Sequence, residues 1–312
     1  MQSLFDFQKN GIYRDRVETF LIDRLSHGIS MSQPHYHPYY ELFYIVDGSC
    51  KMFVEHSLFN CCPGDLIILP EGVLHRSQYE KNVCVERITF SFTQNFASSL
   101  DQNISHDFLE KNFPLIKIHF EGSGRNKIEE LFEKLLVCFN FLDAEDEKTE
   151  LPAGVNVDGN AGLEKIQVNV LVLQIFLAVI RKALETEPSG REQLIDEVTD
   201  KIQSSAKFIF ENFSSDISLS QAASIAGMSE TYFSRKFHEI TGYSFKEYLT
   251  NVRIQHAIKM LQACSCSVTQ IATTCGFSDG NYFGDAFRKK TGLSPRDFRK
   301  TCRHQEKGND II

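Results

Sequence analysis

The C-terminal third of the chain carries one helical pattern twice, and this duplication constrains the fold more than any other feature of the 312 residues. Residues 219–229 align with 268–278, and after one extra residue in the second copy the match continues from 232–244 to 282–294. Two copies with the same anchors define a repeated structural unit. The shared residues are Ala223 and Ala272, Gly227 and Gly276, Ser229 and Ser278, Tyr232-Phe233 and Tyr282-Phe283, Phe237 and Phe287, and Thr241-Gly242 and Thr291-Gly292.

Each copy predicts two helices joined by a tight turn. The glycines Gly227 and Gly276 supply the positive φ that such a turn requires. Ser229 and Ser278 are expected to cap the second helix of each unit, and the repeated tyrosines and phenylalanines are expected to lie on its buried face. Each copy is therefore a predicted helix-turn-helix unit, and a helix over about 245–263 is expected to connect the two.

The charge is distributed unevenly along the chain. A net charge of −8 argues at first against a nucleic-acid-binding protein, whose binding surface should be basic. From residue 200 onward, however, there are 15 Lys and Arg against 11 Asp and Glu, and the acidity belongs to the remainder. A mildly basic C-terminal module attached to an acidic partner domain is the better interpretation.

The repeat resembles a known family. Residues 217–299 are similar to the DNA-binding domain of the AraC/XylS family of bacterial transcriptional regulators. This resemblance implies binding to double-stranded promoter DNA and control of transcription, often as a homodimer, with RNA polymerase as a partner if the protein is an activator. The residues that carry it are Arg253-Ile254, Ala257, Ile271-Ala272, Gly276-Phe277, Asp279, Tyr282-Phe283, Phe287, Gly292, Ser294-Pro295 and Phe298-Arg299.

In a helix-turn-helix unit the second helix enters the major groove, so its outward side chains are the candidate DNA contacts. Arg235 is the leading candidate for reading a base, because arginine can pair bidentately with guanine; a phosphate contact is the alternative. Asp285 departs from the family pattern and either weakens the second unit or reads cytosine. Other basic residues, Lys290 among them, are expected to contact the DNA backbone. The candidates are Glu230, Thr231, Ser234, Arg235 and His238 in the first unit, and Gly280, Asn281, Gly284, Asp285, Arg288 and Lys289 in the second.

The N-terminal part contains short strands between residues 30 and 95, separated by turns such as the hairpin-type Asp47-Gly48, which predict a β-sandwich or barrel. His35 and His37 share one face of a strand by alternation, and Glu41 and His75 follow. The spacing resembles the cupin metal signature, with Tyr79 where that motif usually ends in another polar residue. The resemblance implies a small barrel with an internal pocket.

Three hypotheses for this polar group stay open: a hydrogen-bonded structural cluster, contacts to an effector, or a metal site. A bound metal would be zinc, iron, manganese or nickel, because three imidazoles and a carboxylate suit these ions. No cofactor other than such a divalent metal is expected. The predicted effector contacts are His35, His37, Tyr40, Glu41, His75 and Arg76, and the predicted metal ligands are His35, His37, Glu41 and His75.

Between these parts, two apolar segments predict a helical hairpin, over about 128–142 and 163–186, with an acidic loop at 143–162. The hairpin either covers the β-domain or forms a dimer interface. The predicted organisation is an effector-sensing β-domain (1–120), the hairpin (121–186), a linker (187–191), a DNA-binding domain (192–303) and a tail (304–312).

The fold class is therefore α+β, with a cupin-like β-barrel and hairpin followed by an all-α domain with two helix-turn-helix units. The function expected is that of a DNA-binding regulator and not of an enzyme, responding to a small effector, with a sugar as the leading candidate on family grounds. A metal-dependent cupin isomerase or dioxygenase is the alternative, and a protein–protein adaptor is a minor one. A cytoplasmic location is expected, because residues 1–10 lack the apolar segment of a signal peptide and the nine cysteines form no CxxC pair.

Overall fold

The structure, a computed structural model, describes residues 20–27, 34–79, 84–146, 158–186 and 197–308. Its N-terminal half contains two antiparallel sheets. Five strands form the first sheet in the order β1-β7-β2-β5-β8, and three form the second in the order β4-β3-β6. The strands are β1 (Phe20–His27), β2 (Tyr40–Asp47), β3 (Cys50–Val54), β4 (Ser57–Cys61), β5 (Asp65–Leu69), β6 (His75–Tyr79), β7 (Val85–Phe92) and β8 (Ile116–His119).

Alternation along β2 shows how the sheets pack. Phe43 and Ile45 face the second sheet, in a core shared with Met52 and Val54 of β3. Side chains at the intervening positions, such as Leu42, face outward into a different core. Because both faces of the strand are covered, its sequence is apolar almost throughout.

The Asp47-Gly48 step does make a tight turn, but it does not close a hairpin within one sheet. β2 belongs to the five-stranded sheet and β3 to the three-stranded one, so the chain changes sheets here. Gly48 has φ 79°. A Cβ at this position would lie 2.8 Å from the carbonyl oxygen of Cys84, so both the backbone angle and the close approach require glycine.

The predicted helical hairpin covers the outer face of the five-stranded sheet. Two short helices, α1 (Gln94–Leu100) and α2 (His106–Asn112), precede it, and it consists of α3 (Gly122–Asp146) and α4 (Asp158–Glu185). Both long helices contribute to the core on this sheet, for example through Phe132 and Phe176. The helices extend into the predicted acidic loop, of which residues 147–157 lie outside the described residues; the predicted linker at 187–191 also lies outside them.

One segment of α4, Leu163–Glu185, is long and apolar enough to cross a membrane by length and composition alone. The buried helix of a soluble protein passes the same test, so this is weak evidence for a membrane span. The segment contributes Val172, Ile175 and Val179 to the core on the sheet.

The C-terminal half is helical, and the predicted repeat is confirmed. α6 and α7 form the first helix-turn-helix unit, α9 and α10 form the second, and α8 connects them over the residues expected from the sequence. The last helix reaches Gly308, so the predicted tail at 304–312 begins as helix. The helices are α5 (Glu197–Glu211), α6 (Leu219–Ile225), α7 (Glu230–Thr241), α8 (Phe245–Ala263), α9 (Val268–Thr274), α10 (Gly280–Thr291) and α11 (Pro295–Gly308).

The two halves pack against each other through the outer face of the three-stranded sheet. Phe53, Leu58 and Leu74 of the β-domain share one core with the first helix-turn-helix unit. The ring of Phe53 lies 6.2 Å from that of Tyr248 of α8, whose hydroxyl donates a 2.6 Å hydrogen bond to the carbonyl of Glu55. We call this contact region the docking face.

Candidate nucleic-acid interface and sensor site

The two candidate reader helices, α7 and α10, begin and end in the same way. Each ends at a glycine in the left-handed conformation, Gly242 with φ 82° and Gly292 with φ 78°. The preceding turns contain Gly227 and Gly276, with φ 63° and 82°, which confirms the positive φ expected there. The repeat is therefore preserved in backbone geometry as well as in sequence.

The N-terminal caps of these helices differ, and one prediction was wrong. Ser229 caps α7, as expected, by accepting a hydrogen bond from the Tyr232 amide. The cap of α10 is Asp279 and not Ser278, because the extra residue of the second copy shifts the helix start by one position. The Asp279 carboxylate accepts from the amides of Asn281 and Tyr282, where a negative charge is favourable.

The reader helices bury their phenylalanines but not their tyrosines. Phe233, Phe237, Phe283 and Phe287 are all buried, as predicted. The tyrosines were also expected in the core, but Tyr282 is 45% exposed. Because the phenylalanines occupy most of the buried face, Tyr232 is half-buried at its border and Tyr282 is left on the surface.

The candidate contact residues lie on the open side of the two reader helices. Ser234 and Gly284 are half-buried, and the other nine are exposed. The guanidinium of Arg235 lies 5.3 Å from the centre of the Tyr232 ring, which restricts its orientation. A cavity of about 490 Å³ separates the two units and is lined by residues that include Ser234, Lys246, Thr250 and Tyr282. Lys246 was not among the predicted contacts, although its place in the first turn of α8 puts a cation between the two readers.

Lys290 was expected to contact the DNA backbone, but it lies on the docking face. Its ammonium nitrogen is 5.3 Å from the centre of the Tyr36 ring and 3.4 Å from the Tyr243 hydroxyl. Burial, together with the nearby charge of Lys289, lowers the pKa of Lys290 to about 8. This side chain therefore belongs to the contact between the domains.

The β-domain brings three of its four predicted polar residues together. The side-chain nitrogens of His35, His37 and His75 all lie within 4.8 Å of one another. Glu41 is adjacent, with its Oε2 3.3 Å from Nε2 of His37. Segment 34–37 and strand β6 hold the group, because His35 and His75 exchange two backbone hydrogen bonds of 2.9 Å.

Hydrogen bonds fix the orientation of two of the imidazoles. Nδ1 of His37 lies 2.8 Å from the carbonyl of Tyr39, and Nδ1 of His75 lies 2.9 Å from that of Val73. A carbonyl can only accept, so Nδ1 donates in both rings and Nε2 is left as the nitrogen with a lone pair when the ring is neutral. Burial, and then the charge of His37, lowers the pKa of His75 to about 4, so His75 is neutral at physiological pH.

Two predicted effector contacts lie elsewhere. Tyr40 stacks on Phe92 in the core beneath the hairpin, because alternation in β2 places it on the opposite face from Glu41. Arg76 follows His75 in β6 and points to the docking face, where a Cβ on Gly242 would be 2.8 Å from its Nη1. Both residues are therefore removed from the candidate pocket.

Two family models match the chain, and together they span most of both halves. Residues 18–145 match the AraC-like ligand binding domain, and residues 222–301 match a helix-turn-helix domain. The chain belongs to the AraC family of transcriptional regulators. Its β-domain is the ligand-binding domain of this family, and its duplicated helical unit is the DNA-binding domain.

Several proteins are similar to this chain. An HTH-type transcriptional regulator of Staphylococcus aureus strain MRSA252 is 23% identical over 82% of this chain, although the match spans only 31% of that protein's length. The Msm operon regulatory protein of Streptococcus mutans is 22% identical over 84% of both chains. A solved AraC-type regulator from Chromobacterium violaceum is 27% identical over 33% of this chain and 92% of its own, with a TM-score of 0.32.

The interior of this AraC-family ligand-binding domain contains polar residues that sequence reasoning missed. Arg87, Thr89 and Ser91 alternate along β7 and are buried, and the Arg87 guanidinium donates a 2.7 Å hydrogen bond to Thr89. Burial raises the pKa of Asp23 in β1 to about 6, although Arg87 and Thr89 lower it. Polar residues at every second position of β7 are the sequence pattern that could have predicted these buried side chains.

The donor set of the pocket fits a divalent transition metal. Nε2 of His75 is buried and has no hydrogen-bond partner among the described residues, and it lies beside two further imidazoles and a carboxylate. A second group, Cys62, Asp65 and His119, is also close together, but Lys117 and His119 already satisfy its carboxylate. Of these two groups, the histidines offer the better metal site.

Proposed function

We propose that this AraC-family chain regulates transcription by binding promoter DNA as a homodimer, under the control of a small effector bound inside its β-domain. The observation that carries the proposal is the duplicated reader helix with its exposed outer face. Catalysis does not require two copies of an exposed reader helix, whereas binding to two turns of the DNA major groove does.

The arrangement of the reader helices supports contact with two turns of the major groove. α7 and α10 are joined by the single helix α8, and both present exposed residues on the side away from their phenylalanine cores. Arg235 and Asn281 provide side chains that can read base edges, and Arg288 and Lys289 provide cations for phosphates. Successive major-groove turns lie about 34 Å apart, so one chain would cover two adjacent half-sites.

Helix α4 supports the homodimer. Its core-facing side packs on the sheet, while a second apolar stripe follows alternating steps of three and four residues, the spacing of a coiled-coil seam. Five of its seven members are exposed, and Leu173 and Ile180 are half-buried against the core. Leu177 in this stripe is 52% exposed. We call it the α4 seam; its members are Leu163, Ile166, Val170, Leu173, Leu177, Ile180 and Leu184.

A second copy of the chain is the partner that suits the α4 seam. Seven apolar positions over 22 residues are too regular for scattered surface residues, and a heptad stripe is complementary to itself. Two chains would bring four reader helices to one operator. RNA polymerase is the further partner where the chain activates transcription.

The polar interior of the β-domain supports binding of an effector. His37, Glu41, His75 and Arg87 are buried there, and they offer both donors and acceptors. The family resemblance implied a sugar, but these side chains also suit a ligand that imidazole and carboxylate groups can bind. With a DNA-binding domain and a sensor in one chain, we expect the protein to act in the cytoplasm.

Selection from a random duplex DNA library, with the full chain, tests the proposal. We expect one sequence motif to be enriched, and its affinity to fall as salt is added, because contacts to Z phosphates give a log–log slope of about −0.9Z. Failure to enrich any motif, or an affinity that does not respond to salt, would refute the proposed function.

A further inference from the structure

The pocket that contains His35, His37, His75 and Glu41 lies on one side of two short segments of the β-domain. The docking face lies on the other side of the same segments. In segment 34–37, His35 and His37 belong to the pocket, whereas Pro34 and Tyr36 contact the DNA-binding domain. The carbonyl of Pro34 accepts a 2.8 Å hydrogen bond from the Tyr243 hydroxyl, and the Tyr36 hydroxyl donates a 3.3 Å bond to the carbonyl of Lys290.

The second segment repeats this alternation. His75 and Ser77 of β6 are buried in the pocket, whereas Leu74 packs in the core of the docking face and Arg76 approaches Gly242. The loop before the strand is also attached, since the Gln255 side chain donates a 3.0 Å hydrogen bond to the carbonyl of Gly72. A ligand that fixes the pocket side of these segments thereby fixes the side that contacts the DNA-binding domain.

We propose that His35, His37, His75 and Glu41 bind a divalent first-row transition metal ion such as Zn²⁺, and that this ion orders the docking face and so controls DNA binding. The inference rests on the proposed function and names its effector. The ligand chemistry favours an ion, because three imidazole nitrogens and a carboxylate beside them form a donor set for zinc. The backbone carbonyls that accept from His37 and His75 supply the outer hydrogen bonds typical of zinc-bound histidines.

The docking face contacts both reader helices. Gly242 and Tyr243 follow the end of α7, and Lys290 lies in the last turn of α10. Because these contacts are at the C-terminal ends, the N-terminal residues that enter the groove stay exposed. Ordered docking would therefore hold the two readers at a fixed spacing, and we expect the metal to tighten operator binding.

The repeat itself shows that the first unit is specialised for docking. The residue after the C-terminal glycine is Tyr243 in the first unit and Leu293 in the second. Tyr243 is buried and bonded to Pro34, whereas Leu293 is 40% exposed. The two copies therefore differ at the position where the first copy, and not the second, contacts the β-domain.

Metal binding is tested by titrating the metal-free full chain with Co²⁺ and Zn²⁺. We expect one Co²⁺ per chain, with a visible spectrum of low coordination number and without the near-ultraviolet band of a thiolate ligand. His75→Gln and Glu41→Gln should abolish or weaken binding, and His119→Ala, the matched control in the other cluster, should not. A thiolate band, or unchanged binding in both pocket variants, would overturn the assignment.

Coupling is tested by measuring operator affinity of the full chain with Zn²⁺ and after chelation. We expect Zn²⁺ to tighten binding by about 5- to 150-fold, the usual range of coupling between sites. Tyr36→Phe combined with Tyr243→Phe should keep metal binding but reduce this response to about twofold or less. The control Tyr44→Phe, which removes a hydroxyl bonded to Glu129 away from the docking face, should keep the full response.

The outcomes separate the inference from the proposed function. A chain that selects an operator but binds no metal, or whose affinity is unchanged or weakened by Zn²⁺, overturns the inference and leaves the DNA-binding regulator standing. A chain that binds metal but selects no operator overturns the proposed function, and with it the control of DNA binding.

Discussion

At the scale of residues, Arg235 is the side chain whose loss should change sequence reading most. It is exposed on α7. Its contact with the Tyr232 ring already restricts the side chain, so it loses less conformational entropy when it binds DNA. Arg235→Ala should weaken operator binding by about 1–3 kcal/mol and relax the preference at one base pair. The measurement is affinity for the selected operator and for each of its single-base variants.

Lys201→Ala is the matched control for Arg235. It removes a cation from α5, where Lys201 pairs with Glu197 at 2.6 Å and lies outside both reader helices. We expect no change in base preference. A loss in Arg235→Ala that is equal for every sequence would assign Arg235 to a phosphate instead of a base.

Asp285 should make the second reader weaker than the first. Its carboxylate is exposed on the groove side of α10, where it repels phosphates. Asp285→Asn should therefore tighten binding to all duplexes alike, measured with the operator and with an unrelated sequence of the same length. A loss confined to one base pair of the operator would show that Asp285 reads cytosine.

At the scale of elements, helix α4 carries two apolar faces, one in the core on the sheet and one that we propose as the dimer interface. Leu177→Lys places a charge in the α4 seam without disturbing the core, and it should convert the dimer to a monomer in sedimentation experiments. Lys165→Glu changes an exposed residue outside the seam and should leave the dimer intact. A dimer that survives Leu177→Lys would contradict the α4 seam as the interface.

The helices of the repeat could be predicted from the sequence because their signals are local. Gly227, Gly276 and Ser229 act within one or two turns of the helices that they end or begin. Which strands pair depends on contacts far apart in the chain, so the sequence did not show that Asp47-Gly48 leads from one sheet to the other. Asp279 as the cap of α10 was missed because a one-residue insertion leaves two plausible positions.

The candidate site could be predicted only in part for the same reason. His35 and His37 were predicted by alternation, and His75 was added from the cupin-like motif. Alternation also explains Arg87 and Thr89 once β7 is in place. The orientation of Tyr40 and Arg76 could not be read reliably, because each strand is covered on both faces and alternation alone does not say which face is the pocket. Their positions follow from packing of the hairpin and of the DNA-binding domain.

At the scale of the whole molecule, docking buries the ammonium group of Lys290, and this gives a pH dependence. The pKa of Lys290 falls from an ordinary 10.5 to about 8, so the folded state binds fewer protons than the unfolded state between these values. The cost of burying the charge is therefore full below about pH 8 and declines as the pH rises toward 10.5. Lys290→Met should raise the unfolding temperature at neutral pH, and its advantage should shrink in alkaline solution.

The matched control for this prediction is a lysine away from the docking face. Lys127 is exposed on α3, so Lys127→Met should leave both the unfolding temperature and its pH dependence unchanged. If the unfolding temperatures of Lys290→Met and the wild type differ by the same amount at every pH, Lys290 affects the stability of the docking face through packing and not through its charge.

We propose that one chain reads DNA through two similar helices held at a fixed distance. Hydroxyl-radical footprinting of the full chain on its selected operator tests this most directly. We predict two protected windows per chain on one face of the duplex, about one helical turn apart, and loss of the window read by α7 in Arg235→Ala. A single window per chain, or protection that does not depend on sequence, would contradict the claim.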